Sequence, residues 1–109
     1  MCSKRIRENY HLLAALCECK SKVRKAILAE ADKDLVQSIC ECALNVLNGN
    51  VTISKQNMDK LKRYKSTLRL LVDKKCSVSR KHTAIKQKGG NFLLALLPAV
   101  VSTIASLIR

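Results

Sequence analysis

Apolar residues recur at three- and four-residue intervals along most of the chain, the period of helices that bury one face. From Lys4 to about Cys19, the positions Ile6, Tyr10, Leu13 and Leu16, with Cys17 beside the last, predict one amphipathic helix. A second, short helix follows, with Val23, Ile27 and Leu28 on its inner side and Lys22, Arg24 and Lys25 around the rest. The third is expected to start at Asp32 or Asp34 as N-cap and to bury Leu35, Val36, Ile39, Ala43, Val46 and Leu47. Asn48-Gly49-Asn50 ends it by offering a left-handed residue.

Ser54 is placed as N-cap of a fourth helix running to about Asp73, with Ile53 and Met58 spaced as a hydrophobic staple. Its stripe is Met58, Leu61, Tyr64, Leu68, Leu71 and Val72, with Lys65 at the edge. Ser77 or Ser79 opens a brief fifth helix through Ile85, which Gly89-Gly90 stops. From Phe92 to Ile108, seventeen positions carry no charge, and only Pro98, Ser102, Thr103 and Ser106 interrupt them.

The expected fold is therefore all-α: a small bundle of about four helices with a basic fourth or fifth helix and a hydrophobic C-terminal helix. Residues 1–76 read as the bundle, 77–90 as a basic linker or short helix ending in Gly-Gly, and 91–109 as a hydrophobic tail. Composition agrees, since 109 residues with 3% aromatics, one Pro and three Gly suit one helical domain better than a β-sandwich.

Charge changes the picture more than composition does. The chain carries +13, and residues 51–90 hold twelve basic against two acidic groups. Lys60, Lys62, Arg63, Lys65, Arg69, Lys74, Lys75, Arg80, Lys81, Lys86 and Lys88 form a tract too one-sided for a merely solubilising face, and it points to a polyanion, either nucleic acid or anionic lipid. Sequence-specific reading of bases is not expected, because no recognition helix is apparent and few aromatics are available for stacking.

Other chemistry is sparse. Cys-Glu-Cys occurs at Cys17–Cys19 and again at Cys40–Cys42, but residues two apart on a helix point about 200° apart and do not converge on one metal. The thiols read as small hydrophobes, reduced in the absence of a secretory signal, unless the protein enters an oxidised particle where helices could be bridged. His11 and His82 are isolated, so neither a metal site, a cofactor nor catalysis is expected.

The apolar terminus would be about 25 Å long as a helix, somewhat short of a hydrocarbon core of roughly 30 Å. Ala95, Ala99, Ser102 and Ser106 line one face as small residues suited to close packing, and Pro98 would kink it. Phe92, Leu93, Leu96, Leu97, Pro98, Ile104 and Leu107 are its candidate membrane or assembly contacts, with burial in the bundle as the plainer reading.

Four stretches carry a family resemblance: Arg24-Lys25-Ala26-Ile27-Leu28, the run Ile39-Cys40-Glu41-Cys42-Ala43-Leu44-Asn45-Val46-Leu47-Asn48-Gly49-Asn50-Val51, Lys60-Leu61-Lys62-Arg63-Tyr64-Lys65, and Gln87-Lys88-Gly89-Gly90 leading into the Leu/Pro-rich terminus. They resemble a small protein of Polinton (Maverick) elements and adintoviruses that is compared with the adenovirus core protein mu precursor. The likeness to mu is confined to the end, and the chain departs from it in being Lys-rich and in having a patterned helical body.

The resemblance implies a non-enzymatic virion or core protein. Such a protein would bind DNA non-specifically through the basic tract, engage capsid proteins or a membrane through the tail, and be located in the virion and host nucleus. It also implies a maturation site, since Gln87-Lys88-Gly89-Gly90-Asn91 looks like the consensus of adenovirus-type cysteine proteases, with the cut after Gly90. The alternative is a membrane-active or tail-anchored protein on a host intracellular membrane, its cations meeting anionic lipid. Self-association is compatible with both.

Overall fold

In the computed structural model, residues 3–88 and 91–108 are described, the side chain of Ile108 excepted. Eight helices and no strand occur among them: α1 (Lys4–Glu8), α2 (Tyr10–Glu18), α3 (Ser21–Ala29), α4 (Lys33–Leu47), α5 (Lys55–Lys62), α6 (Lys65–Val72), α7 (Val78–Gln87) and α8 (Leu93–Ile108). The all-α expectation holds, whereas the bundle of about four helices does not: the short helix after Ser77 and the terminal helix join it, and two of the expected helices are each broken in the middle.

The first break is at Asn9, a buried residue whose side-chain amide donates to the Arg5 carbonyl at 2.9 Å. Asn competes for backbone partners in this way, which is why it ends helices that an apolar stripe alone would continue. The second break is at Arg63-Tyr64. There the amides of Arg63 and Tyr64 bond three residues back, to Lys60 and Leu61, at 3.2 and 2.9 Å, and tighten the turn. The Tyr64 ring meets Phe92 at that elbow, with centroids 5.8 Å apart.

Caps explain the clean boundaries. Asp32 accepts from the Leu35 amide at 2.8 Å, which makes it, rather than Asp34, the N-cap of α4. At the other end, Gly49 has φ +76°, its amide donates to Val46 and that of Asn50 to Asn45, the paired bonds of a Schellman motif. Ser54 and Ser77 cap α5 and α7, each accepting an amide hydrogen bond at 3.2 Å.

Arg24 corrects the reading of the second helix. It is buried and Val23 is exposed. Its Nε donates to the Leu16 carbonyl and its Nη2 to that of Cys19, both at 2.8 Å, so the guanidinium satisfies the open end of α2 and fixes the turn into α3. On α4, Leu47 is likewise exposed rather than internal, while Cys40 and Cys42 join the core.

One contiguous core draws on α1 through α8 and on Phe92 just ahead of α8. Helix α8 packs against α2, α4 and α5, and α7 packs against α3, α4 and α6. Phe92, Leu93, Leu96, Leu97, Val100 and Ile104 are buried, each fully buried large side chain contributing about 1.5–3 kcal/mol. Leu94, Pro98, Ser102 and Ser106 form the solvent-facing line, so the two serines are not a packing face. The helix continues through Pro98, and the Leu94 carbonyl that proline leaves without a donor lies on this wet side. The Cα radius of gyration, 12.6 Å, is that of a single domain of this length.

Candidate polyanion interface

The eleven cations of the basic tract sit on α5, α6, α7 and their connections. Ten are exposed, and Lys81 is half-buried. Among the described residues only Lys62 has a carboxylate partner, Asp59 at 3.7 Å. Lys74 and Lys75 lie in the α6–α7 turn, where the Lys75 amide donates to Asp73 at 2.9 Å and shapes the backbone.

The tract is continuous in sequence and divided in space. Burial of Leu61 puts Lys60 and Lys62 about 100° to either side of the line where α5 meets the core. Lys62 joins Lys65 and Arg69, which are four apart on α6, along the edge of a groove of about 660 Å³. The floor and far wall of that groove are Val46, Leu47, Met58, Leu61 and Leu68. Lys60 and Arg63 fall on the other side, around a hollow of about 290 Å³ that also includes Tyr64, Asn91, Leu94 and Ala95. On α7, Arg80 and Lys86 lie on opposite flanks of the buried Ile85. No single stripe carries all eleven.

The first half of the chain adds, to its exposed charges, ion pairs that join elements. Arg5 pairs with Glu41 at 2.9 Å and with Asp34 at 3.5 Å, and the Ser3 hydroxyl donates to Glu41, so these charges tie α1 to α4. Glu41 is half-buried in this tie, while Asp34 stays exposed at its edge.

No family model, no curated protein and no solved structure matches this chain.

The remaining candidate groups have structural surroundings. His82 Nε2–H donates to the Leu28 carbonyl at 2.6 Å and ties α7 to the end of α3, while His11 lies edge-on to Tyr10. Burial pushes the thiols of Cys17 and Cys40 up to about 11 and that of Cys42 up to about 12, so these sulfurs stay protonated and unreactive near neutrality. Among the described residues, no group of three or more His, Cys, Asp or Glu side chains could hold a metal ion.

Of the candidate maturation site, Gln87 ends α7 and Asn91 is exposed, while Gly89 and Gly90 lie outside the described residues. The candidate tail contacts Phe92, Leu93, Leu96, Leu97 and Ile104 are inside the core, and only Pro98 and Leu107 are exposed. Among the described residues, no helix is long and apolar enough to cross a membrane. The groove beside Lys62, Lys65 and Arg69 is the feature the sequence pattern hid. Leu47 and Met58 fit an inward stripe by spacing, and only the Leu44, Leu47 pair at the end of α4 hinted at surplus apolar surface.

Proposed function

We propose that this chain is a non-enzymatic, core-type DNA-binding protein of a Polinton-like element, gripping phosphates without regard to base sequence. The observation that carries this reading is the exposure of ten cations between Lys60 and Lys88 with a carboxylate, among the described residues, beside only one of them. Unpaired surface cations gain by displacing the counterions condensed on a duplex, and that release drives most of non-specific binding. Their division into two shelves around the α5–α6 elbow suits a polyanion that is contacted along its backbone. Base stacking has no part in it, because Tyr64, the one aromatic near the cations, is turned against Phe92.

The resemblance to the Polinton protein supplies the setting, virion and host nucleus. In this reading α8 is a structural element, and contact with capsid proteins or a membrane through its apolar residues would require the bundle to open.

The test is duplex binding by fluorescence polarisation across a salt series. If about six phosphates are contacted, log affinity should fall against log salt with a slope near −5, equally for unrelated sequences. The variant Lys62→Glu/Lys65→Glu/Arg69→Glu should lose at least about tenfold while keeping its helical circular dichroism. A chain that does not hold duplex DNA at about 50 mM salt, or holds it independently of salt, would overturn the proposal.

A further inference from the structure

We propose that the groove between the end of α4 and the α5–α6 elbow receives an amphipathic helix of a partner protein, one that carries acidic residues along a single flank of its apolar stripe. The groove has an apolar floor and one charged edge. Val46, Leu61 and Leu68 are buried beneath it, while Leu47 is 52% and Met58 37% exposed at its mouth. Surface of this kind left in water favours an apolar occupant. DNA, held by the same cations, would leave it uncovered.

The charged edge gives the occupant its polarity. Lys62, Lys65 and Arg69 are spaced by three and four residues and line one side only, and the α4 wall opposite contributes Val46 and Leu47 with no charge. Lys65 and Arg69 stand one turn apart on α6, about 6 Å along the axis, a spacing that acidic residues at i and i+4 of a facing helix reproduce, and Lys62 adds a third cation from across the elbow.

A second copy of this chain is a poor occupant. Each copy carries +13, and the helix that presents two acids one heptad apart, α4, has both Asp34 and Glu41 engaged by Arg5.

The experiment uses the full chain and two labelled synthetic peptides of identical composition, each about four turns long. In one, Leu and Met form a stripe with Glu along one flank; in the other the same residues are scrambled. At about 150 mM salt the patterned peptide should bind at least about tenfold tighter. Leu47→Ser and Met58→Ser should each weaken it about tenfold and leave duplex DNA affinity unchanged, which separates this site from the DNA reading. Both side chains are exposed, so circular dichroism should report intact folds.

Equal binding of the two peptides would reduce the interaction to charge attraction and overturn the proposal. So would indifference to Leu47→Ser and Met58→Ser. Binding of a long-chain fatty carboxylate when neither peptide binds would also overturn it, in favour of a lipid site.

Discussion

Helices α1–α4 and helices α5–α7 use charge in opposite ways. In the first group two bases are tied into the fold: Arg5 reaches Asp34 and Glu41, and Arg24 is drawn inside to two carbonyls. In the second, cations crowd outward past the single pair Lys62–Asp59. Both groups rest on the same α8, so the difference lies in the surface and not in the core. A charge that is tied into the fold, as Arg5 and Arg24 are, takes stability with it when it is removed. A region whose charges are left open loses binding instead.

The largest effect should come from the element the two regions share. Phe92→Ala or Leu96→Ala should cost about 3–5 kcal/mol in urea unfolding, while Leu107→Ser, on the wet side, should change little. If both core variants unfold at the wild-type midpoint, α8 is not the common support. Next, Arg24→Ala should cost about 2 kcal/mol, because one buried and one half-buried carbonyl lose a charged donor and the α2–α3 turn loosens.

Alkaline pH offers a third contrast, again on the α1–α4 side. Burial raises the folded pKa of Cys17, Cys40 and Cys42 above the 9.0 of a free thiol, to about 11, 11 and 12. The unfolded chain therefore releases these protons first. The stability they contribute is complete below pH 9 and falls as pH rises through that value towards 12. Urea midpoints measured on either side of pH 9 should show the loss, and replacing the three cysteines with alanine should shrink it.

The smallest stability effect belongs to the open cations. Lys65→Gln and Arg69→Gln should move unfolding by no more than about 0.5 kcal/mol, and a shift of several times that would mean the two regions are alike after all. Added salt should raise the wild-type midpoint slightly, by screening the repulsion within a chain of net charge +13.

How much of this the sequence disclosed depends on which interaction decides each feature. Caps are local, so Ser54 and the Asn48-Gly49-Asn50 stop were legible, and Asp32 and Ser77 were each one of two named choices. The breaks at Asn9 and Tyr64 were not, because the apolar spacing runs across both and the deciding contacts, an amide on a carbonyl and a ring on Phe92, belong to the folded molecule. Arg24 was placed outside because a buried guanidinium has the same polar signature as a solvated one. The cations of the tract could be named from the sequence, but their partition follows from which way Leu61 faces, a tertiary fact. The apolarity of residues 92–108 was plain, and its destination was not, since hydrophobicity specifies leaving water without specifying for where.

That α8 is the last of the eight helices to be synthesised makes the order of manufacture matter. While the chain is being translated, residues facing Leu96, Val100 and Ile104 have nothing to close over them until the final turns emerge from the ribosome. Seven helices must wait with an unfilled seam, and anything that holds nascent chains or supplies an early polyanion scaffold would act during that interval. Closure of the bundle thus waits on its oiliest segment.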